Sequence, residues 1–168
     1  MSDRKPVVGV VMGSQSDLEA MTRCGEQLEE LGIGYEVRVI SAHRTPDVAG
    51  DYARSARDRG LKVIVAGAGM SAALAGVLAA NTTLPVIGVP IDSGPLAGVD
   101  AAISTMQMPP GVPVACMAIG KAGAINAAIL AAEILALADT TLAARLHELR
   151  KDQAAKVAGD NVEVSGQG

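Results

Sequence analysis

Aromatic residues are almost missing from this chain. Its 168 residues include no Phe, no Trp and two Tyr, Tyr35 and Tyr52. It therefore lacks a row of rings on which single-stranded nucleic acid stacks, and it has no indole or phenol wall for a flavin. A basic excess is missing too. The 14 Lys and Arg stand against 18 Asp and Glu, a net charge of −4. Phosphate-backbone binding calls for the opposite balance, so nucleic acid is excluded as a partner. Cysteine is scarce: Cys24 and Cys116 lie far apart in apolar, periodic segments and are expected as buried, reduced thiols rather than a disulfide. The two histidines, His43 and His147, form no Cys/His cluster with metal-ligand spacing, so no metal site is expected. No apolar run is long enough to span a bilayer, and the N-terminal one is broken by Gly13 with no cleavable signal before it. The expectation is a cytoplasmic protein with no membrane partner.

Small residues are abundant instead. The chain holds 30 Ala and 19 Gly, and 49% of it is hydrophobic, which argues against disorder. Its length suits one domain burying roughly 70% of the unfolded chain's surface. A single α/β domain is expected over residues 1–158, with a flexible tail over 159–168.

The hydrophobic pattern is regular. Residues 7–12 form a continuous β-branched run, as in a buried parallel strand. Ser16, with Glu19 three residues later, has the form of a capping box. Leu18, Met21, Gly25, Leu28 and Leu31 then recur at helical spacing up to Gly32. A second strand is expected over 35–40. Thr45 and Pro46 open a helix with Val48, Ala49, Tyr52, Ala53 and Ala56 on its buried stripe, closed by Gly60. Strands at 61–66, 84–89 and 112–119 alternate with helices at 71–80, 96–106 and 122–138. The pattern predicts a three-layer α/β fold of the flavodoxin or Rossmann kind. Its central parallel sheet has about five strands, with helices on both faces and an extra C-terminal helix over 141–157. Leu142, Leu146 and Leu149 form a stripe on that last helix, expected to meet a neighbouring subunit.

Ligands of such sheets bind beyond the carboxyl ends of the strands. After the first strand comes Gly13-Ser14-Gln15-Ser16-Asp17. A tight glycine turn, free N–H groups at a helix start and two hydroxyls suit a phosphate, with Asp17 placed for a sugar hydroxyl. The glycine spacing is not that of a dinucleotide fingerprint, and a plain capped helix is the alternative reading. After the second strand come Ser41, His43 and Arg44. A guanidinium grips phosphate bidentately, and an imidazole moves protons near neutral pH. After the third come Gly69, Met70, Ser71 and Ala72. These offer mainly backbone N–H and C=O groups at close approach, suited to a flat heterocycle or a carboxylate; tight helix–sheet packing is the alternative. Residues 92–98 have the makings of a lid, and the proline-rich 106–111 of a water-excluding wall. His147 reads as a surface residue. A phospho-acceptor receiver is excluded, because Gly67-Ala68 stands where its Asp belongs.

At these same loops the chain resembles a known family. GSQSD at 13–17, SAHRTPD at 41–47, AGAG at 66–69 and QMPPGVPVACMAIGKAGAINAA at 107–128 are similar to the N5-carboxyaminoimidazole ribonucleotide mutases of purine biosynthesis. The resemblance runs over about residues 7–138. It implies an isomerase that turns N5-carboxyaminoimidazole ribonucleotide into 4-carboxy-5-aminoimidazole ribonucleotide. It also implies a CO₂ intermediate, no cofactor, and a homo-octamer with sites at subunit junctions. Carried over by position, His43 is the catalytic histidine, Ser14 and Asp17 bind the ribose-phosphate part, and Arg44 binds the phosphate. Ser16 and Ser41 line the same pocket. One loop departs from the pattern. Where mutases carry GGAAHLPG, residues 69–76 read GMSAALAG, with Ala73 in place of the histidine. The CO₂-using carboxylases of the family also lack that histidine and have a serine matching Ser71. Arg44-Thr45-Pro46 and residues 84–90 follow the mutase branch. The readings are thus a mutase, a CO₂-dependent carboxylase, or a non-catalytic ribonucleotide-binding module.

Overall fold

Strand β1, Val8–Met12, is buried along its whole length. Its apolar run has no polar face to give to water, so it needs helices above and below. Val8, Val10 and Met12 point into one hydrophobic cluster and Val11 into another, as the period of two requires. The computed structural model describes residues 4–165. Within them β1 pairs in parallel with β2, Tyr35–Val39, on one side and with β3, Val63–Gly69, on the other. Strand β4, Val86–Ile91, follows β3, and a two-residue β5, Ala115–Cys116, closes the edge. The order is β2-β1-β3-β4-β5, all parallel. This is the expected three-layer α/β architecture.

Helices α1, Leu18–Glu30, and α5, Lys121–Ala136, cover one face with Leu28, Ala127 and Ala131. Helices α2, Pro46–Ala56, and α3, Leu74–Ala80, cover the other with Ala53, Leu74 and Leu78. Helix α4, Val99–Met106, lies against β4 and β5. The scarce aromatics have specific places. Gly9 leaves room on β1 for the Tyr52 hydroxyl, which donates to Glu36 Oε1 at 2.9 Å.

Several boundaries differ from the expected ones, each for a local reason. Strand β5 is far shorter than residues 112–119, because Pro113 has no N–H for an edge ladder. Strand β4 starts after Pro85 and runs through Pro90, whose carbonyl accepts the Gly120 N–H at 2.8 Å. Helix α3 starts at Leu74 rather than residue 71, because Met70 at φ 55° and two short-range N–H···O bonds make residues 70–73 a turn. Helix α4 starts at Val99, after Gly98 at φ 84°. Val48 is 53% exposed and leaves the α2 stripe, while Ala49, Tyr52, Ala53 and Ala56 are buried.

The last helix, α6, spans Thr140–Ser165, so residues 159–165 of the expected tail are helical and 166–168 lie outside the described residues. Its leucine stripe, expected to meet a neighbouring subunit, packs on this chain's own core. Leu142 is buried, and Leu146 and Leu149 pack on the α1/α5 core of the same chain. Arg145 fixes this docking by donating from Nη1 to the Leu31 carbonyl at 2.8 Å, which caps the end of α1. Among the described residues no helix is long and apolar enough to cross a membrane.

Candidate active site

After β1 the chain leaves toward the α1 face, and after β3 it leaves toward the α3 face. The two strands are neighbours, so their carboxyl ends part and open a crevice between them. A cavity of about 480 Å³ occupies it. Ser14, Ser16 and Asp17 enter from β1, Ser41, His43 and Arg44 from β2, and Gly69, Met70 and Ser71 from β3. Ala72, also expected here, is 3% exposed and packs inward, off the wall.

The β1 loop is held by a capping box one step earlier than the sequence suggested. Ser14, not Ser16, is the cap, and Asp17, not Glu19, is its partner. The Ser14 hydroxyl accepts the Ser16 N–H at 3.3 Å, and the Asp17 carboxylate accepts the Ser14 N–H at 3.0 Å. Ser16 Oγ donates to the other Asp17 oxygen at 3.3 Å. Asp17 is only 4% exposed, so its side chain shapes the turn from beneath. Burial pushes its carboxyl above the ordinary value, against these hydrogen bonds and the nearby Arg44 charge, which pull it down.

The β2 loop is a second tied turn. Thr45 Oγ1 donates to the Ser41 carbonyl at 2.9 Å and accepts the Ser41 N–H at 3.2 Å. Ser41 Oγ accepts both the Arg44 N–H and Arg44 Nε–H at 3.2 Å. Arg44 Nη2 then donates to the Gly13 carbonyl at 3.0 Å, binding the two loops together. The guanidinium is exposed and keeps donors for a ligand. His43 beside it is also exposed, and among the described residues no protein hydrogen bond holds its imidazole. It can turn to a ligand in the cavity.

The β3 end brings main chain close. A Cβ on Gly69 would run into the Ser93 hydroxyl and displace it. Met70 at φ 55° is a backbone strain of the kind found at binding loops. Ser93 lines the cavity and was missed among the sequence candidates, where residues 92–98 stood only as a lid. Its signal is the Ser-Gly pair after a strand end. Ala73 lines it too, at the place of the missing histidine. Nearby, Lys121 Nζ meets Glu19 Oε1 at 2.6 Å and ties the starts of α1 and α5. His147 lies on exposed α6, far in the fold from this crevice. Among the described residues no group of three or more His, Cys, Asp or Glu stands together as a metal site.

Comparison with known proteins gives the family. The family model described as "AIRC: AIR carboxylase" matches residues 7–156. The chain belongs to the AIR carboxylase family. It is 55% identical over 148 residues to the N5-carboxyaminoimidazole ribonucleotide mutase of Bacillus subtilis (strain 168), covering 88% of this chain and 91% of that one. It is 54% identical over 151 residues to the mutase of the same name from Brucella melitensis biotype 1, covering 90% and 93%. Among solved structures, the crystal structure of Treponema denticola PurE superposes with a TM-score of 0.84 at 31% identity, covering 94% of this chain and 98% of that chain. The family match spans every element from β1 into α6, so both loops that build the crevice lie inside it.

Proposed function

We propose that this protein is a cytoplasmic isomerase of purine biosynthesis that converts N5-carboxyaminoimidazole ribonucleotide to 4-carboxy-5-aminoimidazole ribonucleotide. One observation carries the site assignment: Ser14, Asp17, Ser41, His43 and Arg44 converge from two tied loops on one crevice roofed by glycine-rich main chain. Arg44 and the N–H groups around Ser14 and Ser16 take the 5′-phosphate. Asp17 holds that turn in shape. The Gly69–Ser71 main chain and Ser93 face the imidazole and its carboxylate.

The reaction needs one proton carrier and a place to keep CO₂. Protonated His43 gives its proton to the exocyclic nitrogen as the N–C bond of the carbamate breaks, releasing CO₂ and the free amine. Ring carbon C4 then attacks the held CO₂ and forms the new C–C bond. Neutral His43 removes the C4 proton, restoring aromaticity and its own starting state. Protons balance over the cycle, and no cofactor is called for. The gain comes from holding CO₂ beside the nucleophile, so that its recapture is intramolecular in effect. Small side chains such as Ala68 and Ala73 leave room for it. The purified protein is expected to form the C4 carboxylate from the carbamate without added bicarbonate, and His43→Asn to abolish it. Activity that survives in His43→Asn overturns the role of His43.

A CO₂-dependent carboxylase is the second reading, favoured by Ala73 and Ser71 on the cavity wall. Its mark is a rate on the free aminoimidazole ribonucleotide that follows dissolved CO₂, with indifference to the carbamate.

The same reading includes a homo-octamer with sites at subunit junctions. Leu96, Val99, Ile103 and Met106 support it. Val99, Ile103 and Met106 recur at helical spacing along α4 and Leu96 lies in the turn just before it; the four stand 54%, 54%, 53% and 59% exposed. Light scattering of wild type should give the octamer mass, and Ile103→Asp should give smaller species.

A further inference from the structure

The amino ends of the strands carry a second cavity, also of about 480 Å³. Its lining includes Val7, Gly34 and Lys62, which precede β1, β2 and β3. The candidate active site lies at the other end of the same strands, about 16 Å away at roughly 3.3 Å per strand residue. Arg4, Lys5, Lys62 and Arg145 converge on this second cavity. Asp139 is the one acid in its lining, and its Oδ1 is already engaged by the Leu142 N–H at 3.0 Å, at the start of α6. Among the described residues none of the four cations pairs with a carboxylate, whereas Arg23, Arg54, Arg59, Lys121 and Arg150 all do. In a chain of net charge −4, four unneutralised cations around one hollow are a concentrated exception.

All four side chains are exposed, and Arg145 is held by a hydrogen bond. Gly32, at φ 72°, lets two guanidinium groups face one point: a Cβ there would stand 3.5 Å from Arg145 Cζ and 3.9 Å from Arg4 Cζ. Arg145 is anchored by its bond to the Leu31 carbonyl, which uses one of its five N–H donors and leaves the rest. Gly60 lies against Lys5, with its would-be Cβ 3.4 Å from Nζ. Like charges held this close repel unless an anion lies between them. A pocket of this size takes a small molecule, and the acidic charge of the whole chain disfavours a nucleic-acid strand.

We propose that this cavity binds a phosphate-rich small molecule, a di- or triphosphate group, independently of the candidate active site. The test is calorimetric titration of the full-length protein with inorganic tripolyphosphate at low and high salt. Wild type, Arg44→Gln and the double variant Arg4→Gln/Lys62→Gln are compared. The expected result is saturable binding that persists in Arg44→Gln and weakens at high salt. In the double variant it weakens roughly tenfold or more, with turnover of the carbamate unchanged. A parallel titration with ATP shows whether a nucleoside adds to the phosphate contacts. Should the double variant lose its circular-dichroism signature, Lys62→Gln alone, on an exposed side chain, gives the same readout. Binding that vanishes in Arg44→Gln but survives in the double variant overturns the proposal. So does the absence of saturable binding in wild type, or tighter binding of a single-stranded oligonucleotide than of tripolyphosphate.

Discussion

Replacing Asp17 tests the fold and the site through the same atoms. In Asp17→Ala the Ser14 N–H loses its acceptor and the first turn before α1 loses its negative charge. A partly buried, unpaired N–H costs about 1–2 kcal/mol, and the lost interaction with the helix end adds about 0.5 kcal/mol. The Ser16 hydroxyl is exposed and turns to water. The total, roughly 2 kcal/mol, lowers Tm by about 4–8 °C for a chain of this size. Asp17→Asn keeps an acceptor for Ser14 and should cost less than Asp17→Ala. The pair also fixes a pH dependence. Burial raises the Asp17 carboxyl above its ordinary 3.8, so the folded chain holds this proton more tightly than the unfolded one. The stability this group contributes is therefore full below that value and declines as pH rises through the interval up to the raised value. Melting curves across the acid range should show the advantage of wild type over Asp17→Asn shrinking as pH rises. A Tm for Asp17→Ala within about 1 °C of wild type, against the expected drop of about 4–8 °C, would refute the capping role. An advantage that grows with pH would refute the sign of the shift.

Other expectations follow from single contacts. Gly69→Ala drives a methyl into the Ser93 hydroxyl and should cut kcat/KM roughly tenfold or more, a loss of about 1.4 kcal/mol, with the melting curve little changed; adding Ser93→Gly should restore much of the loss. Arg44→Lys cannot span Ser41, the Gly13 carbonyl and a phosphate at once, so KM for the ribonucleotide should rise roughly 10- to 100-fold. Cys24 is fully buried and its thiol is pushed up to about 12, whereas Cys116 is only half-buried. A thiol reagent at mildly alkaline pH should therefore label Cys116 in the native protein and Cys24 only on unfolding. Two equivalents labelled in the native state would contradict the packing of α1.

The fold was legible wherever burial alone decided the structure. Continuous apolar runs at β1, β3 and β4 can only be central parallel strands, and glycines 32 and 60 end helices by adopting positive φ. It was misread where a boundary hangs on one hydrogen bond. Pro113 shortens β5 by removing a donor, and Met70 delays α3 by taking a conformation no propensity favours. The α6 stripe was given to a neighbour because periodicity reports a buried face but not which surface buries it. The carboxyl-end rule found the crevice, and the loops after β1 and β2 supplied the polar groups expected there. Ser93 escaped because it follows β4, one strand beyond the switch point, and reaches the cavity only because Gly69 has no side chain.

That last contact shows what the abundance of small residues does. Residues without side chains at 13, 67 and 69 let the main chain and two neighbouring loops approach to hydrogen-bond distance, as in the 3.0 Å bonds from Arg44 to Gly13 and from Gly13 to Gly67. Larger side chains would hold these loops apart and fill the crevice. The aromatic poverty of the chain has the same root. A small heterocycle anchored by its phosphate needs close backbone more than a stacking ring, and a ring at 69 or 73 would occupy the space the substrate needs. Ala73 extends this logic one step further than in mutases that carry histidine there. With that imidazole gone, His43 is the one histidine on the cavity wall, so in the proposed mechanism a single proton carrier serves both halves of the reaction.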